Sequence, residues 1–134
     1  MVKEADAYVL VSAEYNSCPP PALTNLLDHA PPRAYAFKSS AIVTYSMGPG
    51  GGARATQNLR AFMCEMGAPP IPYTLGVGLV HKTMDESGKP VDQVERLEKG
   101  ASNLIKQLEW FGNATRNHRN TVGEPDWSSP VVSA

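Results

Sequence analysis

Two stretches of this chain run from strand-like apolar sequence into a loop and then into a helix. Residues 8–16 read YVLVSAEYN and precede a proline-opened helix, and residues 41–52 read AIVTYSMGPGGG before a second helix. In an open α/β sheet, ligands bind beyond the carboxyl ends of the strands. Two neighbouring loops of this kind would form one wall of a ligand-binding crevice, so these junctions constrain both fold and function.

The first half of the chain alternates strands with helices. Residues 8–12 are continuously apolar, which is typical of a parallel strand buried on both faces. The three prolines at 19–21 can open a helix over residues 22–28, because proline is tolerated in the first turn. A second strand is expected at residues 41–45.

The second half continues the alternation. A helix from about Ala53 places apolar residues at i, i+3, i+4 and i+7. Residues 71–75 predict a third strand, at a sheet edge because it contains a proline. We expect a loop over 76–90 and a long amphipathic helix over 94–111. The order predicts an α/β domain, residues 1–113, with a parallel sheet, followed by a polar C-terminal tail, residues 114–134.

Composition narrows the class of protein. The chain has 134 residues and a net charge of −1, which gives no electrostatic basis for binding nucleic acid or an anionic membrane. No apolar stretch approaches the roughly 20 residues that span a bilayer. The acidic residues near the N-terminus do not suit a signal peptide, so we expect a cytoplasmic protein whose Cys18 and Cys64 are free thiols.

The glycine loop fits the pattern G-x-G-x-x-G/A from Gly48 to Ala53, between a strand and a helix. The expected acidic residue after the next strand is missing, and no Gly-Lys-Ser/Thr is present for a phosphate loop of the Walker type. Two interpretations remain. The glycines either simply close a strand onto a helix, or they bring backbone amides close to a flat or anionic ligand.

The first loop offers a carboxylate, an aromatic face and an amide at Glu14, Tyr15 and Asn16. This sequence is compatible with a plain turn, because asparagine is a common turn residue. Together with the second loop it could instead present two tyrosines to a planar ring. We find no acid/base or nucleophilic constellation beside these loops, and the three histidines, His29, His81 and His118, have no spacing that suggests a metal site.

Both loops resemble one known family. Residues 13–28, AEYNSCPPPALTNLLD, are similar to the segment P-E-Y-N-x-x-x-P-x-x-L-K-N-x-x-D of the NADPH-dependent FMN reductases. Residues 46–60, SMGPGGGARATQNLR, resemble the glycine-rich segment S-x-G-x-x-G-G-x-R…L-R of the same family. The likeness extends from Ala5 to about Leu75, and more loosely through the last helix. Ala13 replaces the family's usual proline and Thr24 its common lysine.

The resemblance implies a flavodoxin-like fold with strand order 2-1-3-4-5 and FMN at the carboxyl edge of the sheet. It implies hydride transfer from NADPH or NADH to the flavin, then reduction of a quinone or similar acceptor, in a homo-oligomer. No catalytic side chain is expected, because the cofactor performs the chemistry. The implied flavin contacts are Ala13, Glu14, Tyr15, Asn16, Tyr45, Ser46, Gly48, Gly51 and Gly52.

The resemblance also implies two strands and a phosphate-binding loop before the matched region. Residues 1–6 correspond only to the end of the preceding helix, so we expect a flavodoxin-like sheet that lacks the family's first two strands. The strand at residues 8–11 would then be an exposed edge, which predicts poor solubility of the isolated chain.

Three hypotheses follow from that open edge. The chain is a truncated form of a longer reductase, or a short module that still binds a flat ligand weakly. Alternatively it is a non-catalytic module that associates with another protein chain through strand addition.

Overall fold

Three parallel strands with helices on both faces form the structure, a computed structural model that describes residues 2–125. The elements are β1 (Ala7–Ala13), α1 (Pro21–Asp28), β2 (Ser39–Tyr45), α2 (Ala53–Glu65), β3 (Pro70–Val77), α3 (Val80–Thr83) and α4 (Val94–Val122), with a 3₁₀ turn (Pro32–Ala34) between α1 and β2. The strand order is β1-β2-β3. The predicted parallel α/β sheet is therefore confirmed, and the proline-containing β3 lies at an edge as expected.

The first face of the sheet is covered by α1 and α2. Leu10 of β1 and Ile42 of β2 are opposite one another in the sheet and pack in one cluster with Leu59 and Met63 of α2 and Leu27 of α1. Leu59, Ile42 and Met63 are fully buried. Burial of such side chains contributes roughly 1.5–3 kcal/mol each, so this cluster fixes α2, and with it the glycine loop, against the sheet.

The second face is covered by α4. Leu97, Leu104 and Leu108 pack against β2 and β3, and Leu75 is among their neighbours. The helix approaches β3 closely at Gly100, where a Cβ would lie 2.8 Å from Cδ1 of Leu75. This contact places α4 over β2 and β3 rather than centrally over all three strands.

Most of β1 is buried on one face only, which corrects the expectation of burial on both. Leu10 is buried, whereas Val9 and Val11 are 44% and 60% exposed. The reason is the position of α4, which touches β1 near its start, where Gly112 lies against Ala7. Since β1 is also an edge strand, the apolar run at residues 8–12 borders solvent on its outer side and on part of one face.

Two predicted segments, the loop and the tail, contain helix that the prediction did not include. The predicted loop at 76–90 begins inside β3, which runs to Val77, and contains the four-residue helix α3. A helix this short has no apolar periodicity to detect. The predicted tail likewise begins as helix, because α4 continues through residues 114–122. The part of that tail beyond Pro125, which includes Trp127, lies outside the described residues.

A polar network closes the amino edge of the sheet. The buried Lys38 ammonium donates to the carbonyl oxygens of Lys3, at 2.7 Å, and Ala34, at 3.0 Å, and to the hydroxyl of Tyr8, at 3.1 Å. The Tyr8 hydroxyl in turn lies within hydrogen-bonding distance of the Val2 and Ala34 carbonyl oxygens, at 2.9 and 3.0 Å, and can donate to one of them at a time. Arg119 of α4 donates to the Phe37 carbonyl at 2.6 Å and to a carboxylate near β1. The network ties the start of the chain to β1 and α4.

The structure also bears on membrane insertion, metal binding and the state of the cysteines. Among residues 2–125, no helix is long and apolar enough to cross a membrane, and no group of three or more potential metal ligands is clustered. Cys18 and Cys64 are free thiols and both are exposed.

Candidate functional site

The first predicted loop folds as a tight turn at the carboxyl end of β1. The Glu14 amide donates to the Tyr45 carbonyl at 3.0 Å, which joins this loop to the end of β2. Tyr15 and Cys18 exchange two backbone hydrogen bonds of 2.9 and 3.0 Å across the turn. Asn16 has a φ of 51°, in the left-handed region where asparagine is enriched. The turn projects Tyr15 outward, with 63% of its surface exposed.

The glycine loop is packed directly onto the sheet. Gly52 has a φ of 80°, and a Cβ there would lie 2.7 Å from Cβ of Thr44. The Thr44 hydroxyl donates to the Gly51 carbonyl at 2.7 Å and is hydrogen-bonded to the Thr56 hydroxyl at 2.8 Å. Behind it, Gly76 of β3 lies against Gly51. Gly51 and Gly52 therefore let the loop sit on the strands, which fixes the position of residues 46–50 in front of them.

A carboxylate connects the two loops. Oε2 of Glu14 accepts hydrogen bonds from the backbone amides of Arg54, at 2.9 Å, and Ala55, at 3.0 Å, in the first turn of α2. The neighbouring amides of Ala53 and Thr56 donate to carbonyl oxygens of the glycine loop itself. Glu14 thus caps α2 from another element, and a negative charge at a helix N-terminus is favourable.

This capping bears on the dinucleotide pattern of the glycine loop. A dinucleotide fingerprint requires the first-turn amides of the following helix for a pyrophosphate. In this chain the amides of residues 53–56 already donate to protein oxygens. These four amides are therefore not free for a dinucleotide pyrophosphate, and contact between the glycine loop and a flat or anionic ligand stays a prediction.

The two loops enclose a cavity of about 650 Å³ at the carboxyl edge of the sheet. It is lined by Ala13, Glu14, Tyr15, Tyr45, Ser46, Met47, Gly48, Pro49, Gly50, Arg54 and Val80. The two tyrosines and Met47 are partly or largely exposed there, so aromatic and thioether surface faces the open space. This volume lies within the range of pockets for organic ligands, and the lining suits a flat ring system.

Six of the nine residues predicted from the sequence line this cavity: Ala13, Glu14, Tyr15, Tyr45, Ser46 and Gly48. Asn16 is exposed in the adjoining turn, and Gly51 and Gly52 lie behind the lining against Thr44 and Gly76. Ligand contact by any of the nine stays a prediction. The structure also gives Gly51 and Gly52 a packing role.

The sequence interpretation missed part of the lining. Val80 joins it because its amide donates to the Ser46 carbonyl at 3.0 Å, and the Leu79 amide donates to the Gly48 carbonyl at the same distance. These contacts follow from a short helix inside a stretch without apolar periodicity. Arg54 belongs to the quoted glycine-rich segment, yet its place in the cavity depends on where α2 begins.

Sequence comparison identifies the family to which these loops belong. Residues 1–82, more than half of the chain, match the sequence profile of the NADPH-dependent FMN reductases. The chain belongs to this family. The quinone reductases of Escherichia coli K12 and Shigella flexneri are each 33% identical to it over 97 residues. That alignment covers 69% of this chain and 52% of each relative, so the chain spans about half the length of the curated relatives that it matches.

Structural comparison agrees with the fold of that family. FerB, a flavoenzyme NAD(P)H:(acceptor) oxidoreductase from Paracoccus denitrificans, superposes with a TM-score of 0.62. The two proteins are 22% identical, and the match covers 87% of this chain and 64% of FerB. The flavodoxin-like α/β fold is thereby confirmed.

Proposed function

We propose that this chain binds FMN in the cavity between the two loops and acts as an NAD(P)H-dependent reductase of quinones or similar acceptors. The observation that supports the proposal best is the convergence of both family motifs on one cavity of about 650 Å³. The quinone reductase relatives suggest the acceptor class, and the family description suggests NADPH as the donor.

The residues present fit a flavin ring. Tyr15 and Tyr45 offer aromatic surface at the ends of two adjacent strands, and residues 46–50 offer a backbone wall between them. In this proposal, the backbone atoms of residues 13–16 that are not used in the turn hold the edge of the ring. The Glu14 side chain has a further role, because its carboxylate is bonded to the first turn of α2 and so joins the two loops.

The proposed reaction needs little acid/base chemistry from the protein. FMN held between the two loops would supply the hydride-transfer chemistry that links a reduced nicotinamide cofactor to an oxidised acceptor. The chain's own residues bind the ring, orient it, and cover one side of it from water. We also expect the working protein to be a cytoplasmic homo-oligomer.

A flavin titration tests this proposal. We expect FMN fluorescence to be quenched on addition of the purified 134-residue chain, with a dissociation constant in the micromolar range. The variant Tyr15→Ala should weaken binding about fivefold to tenfold, since a stacked aromatic contributes about 1 kcal/mol. Trp110→Ala, an equally exposed aromatic on α4 outside the cavity, is the matched control and should bind like the wild type. Absence of quenching by the wild type would refute the proposal.

The second candidate function is a non-catalytic module that associates with another chain. It is favoured by the exposed Val9 and Val11 on the edge strand β1. An edge strand offers unpaired backbone groups to a further strand. Concentration-dependent assembly without any flavin binding would favour this candidate, whereas flavin binding with NADPH oxidation would favour the reductase.

A further inference from the structure

Arg54 is the one cationic residue in the cavity lining, as far as the described residues 2–125 show. Its guanidinium lies 3.7 Å from Oε1 of Glu14, and 74% of the side chain is exposed. The Glu14 side chain is only 14% exposed, and its other oxygen is bonded to two backbone amides. Glu14 is therefore fixed by its own contacts, whereas Arg54 is a solvated side chain free to exchange this exposed ion pair for another anion.

The first-turn amides of α2, beside Arg54, already have protein partners. The first-turn amides of α2 donate to Glu14 and to the carbonyl oxygens of Gly50 and Gly52. The fixed carboxylate of Glu14 would also repel a second negative group placed at the end of the helix. The exposed Arg54 guanidinium can instead hold an anionic group of a ligand in this cavity, and guanidinium suits phosphate because it donates two parallel hydrogen bonds.

From this geometry we propose that Arg54 binds a phosphate group of the nucleotide that occupies the cavity. The inference rests on the proposed function, and it assigns to Arg54 a recognition role that the flavin ring itself does not require. The phosphate has two sources, the ribityl phosphate of FMN and the phosphates of the nicotinamide dinucleotide. Both present the same chemistry to the guanidinium.

Ligand pairs that differ in phosphate separate the two sources. The first pair is FMN and riboflavin, compared by fluorescence titration of the wild type and Arg54→Gln. The second pair is NADP⁺ and nicotinamide riboside, compared by calorimetric titration of the flavin-loaded chain without turnover. We expect Arg54→Gln to weaken binding of the phosphate-bearing member of one pair about fivefold to tenfold at low salt, and to leave the phosphate-free member unchanged.

Two further variants complete the design. Arg54→Lys keeps the charge and should retain part of the preference, although it loses the paired hydrogen bonds. Arg33→Gln makes the same charge change in the 3₁₀ turn before β2, at the opposite edge of the sheet, and should behave like the wild type.

Each outcome decides something. Loss of the FMN preference assigns Arg54 to the flavin phosphate, and loss of NADP⁺ affinity alone assigns it to the dinucleotide. Equal weakening of both members of both pairs shows a merely structural role and overturns the inference, as does an Arg54→Gln variant that binds all four ligands like the wild type. In those cases, flavin binding by the wild type would still support the proposed function. Failure of the wild type to bind either flavin refutes the proposed function and this inference together.

Discussion

At the scale of single residues, Gly52 is the position where the second loop depends most strictly on glycine. Its φ of 80° is unfavourable for other residues, and a Cβ would meet the buried Thr44 side chain at 2.7 Å. We expect Gly52→Ala to lower the free energy of unfolding by about 2–3 kcal/mol, through backbone strain and overpacking. Urea denaturation measures the change.

Gly50→Ala is the matched control two residues earlier in the same loop. A Cβ at Gly50 meets no atom within 4 Å, and Gly50 is not in the left-handed region. Its effect should stay within about 0.5 kcal/mol. Equal losses for the two variants would show that steric contact with Thr44 is not what requires glycine at position 52.

Glu14 shows how far residue-level prediction extends. The sequence placed it at a strand end beside a ligand, and it does line the cavity. It could not show that the carboxylate caps α2, because the bonded amides are 40 and 41 residues away in the chain. Local motifs predict which residues gather at a strand end, whereas the direction of a side chain depends on the packing of distant elements.

At the scale of elements, the end of α4 depends on Arg119. Its side chain is 12% exposed, and its guanidinium donates to the Phe37 carbonyl and the Asp6 carboxylate. We expect Arg119→Ala to reduce the free energy of unfolding by about 1.5–3 kcal/mol, the range for hydrogen bonds of a charged group. Arg116→Ala should cost less than about 0.5 kcal/mol, because Arg116 is 47% exposed and lies 3.5 Å from the same carboxylate. Thermal unfolding of both variants tests this order, and similar losses would contradict it.

The contacts of Arg119 explain why the helix predicted from the sequence ended too early. Apolar periodicity stops near Phe111, but the buried side of the helix continues through the partly buried Thr115 and Arg119. The aliphatic part of an arginine side chain can cover apolar surface while its guanidinium forms hydrogen bonds. Counting apolar residues therefore predicts where α4 packs against the sheet, and misses a final segment held by hydrogen bonds.

The network that ties the start of the chain to β1 and α4 predicts an alkaline transition. Burial raises the pKa of Tyr8 to about 12, with a smaller contribution from Tyr35. Because this pKa exceeds the unfolded value of about 10, the stabilising contribution of Tyr8 is complete below pH 10 and is lost as the pH rises towards 12. We expect the wild type to lose about 1–2 kcal/mol of unfolding free energy across this window, allowing for partial exposure of the ring.

Lys38 changes stability in the opposite direction. Burial, with the nearby Arg119, lowers the pKa of Lys38, so the cost of its buried charge disappears as the pH rises through that lowered pKa. The variant Tyr8→Phe removes the titrating hydroxyl, together with the hydrogen bond that it accepts from Lys38, and keeps the Lys38 ammonium. Its unfolding free energy should fall less than that of the wild type between pH 10 and 12. Parallel pH profiles would show that Tyr8 does not cause the alkaline loss.

At the scale of the whole molecule, the sequence predicted the parallel sheet, its helices and the edge that carries the site. These features follow from alternating apolar segments, prolines and the rule that ligands bind beyond strand ends. The sequence did not predict that α4 covers β2 and β3 more than it covers β1. That asymmetry depends on the close approach at Gly100 and leaves Val9 and Val11 exposed. A continuous apolar run indicates a strand, but burial of its two faces depends on what the other elements cover.

The exposed edge leads to a prediction about association. β1 has no charged residue between Ala7 and Ala13, and natural edge strands commonly use charge to prevent pairing between molecules. We expect the wild-type chain to self-associate at micromolar concentrations, and Val11→Lys to shift it towards monomer without loss of stability, since Val11 is 60% exposed. Val122→Lys introduces the same charge at a 70% exposed valine at the end of α4 and should leave association unchanged. Sedimentation velocity over a concentration series distinguishes these cases. A wild-type monomer that melts cooperatively, or equal effects of the two lysines, would show that the β1 edge does not drive association.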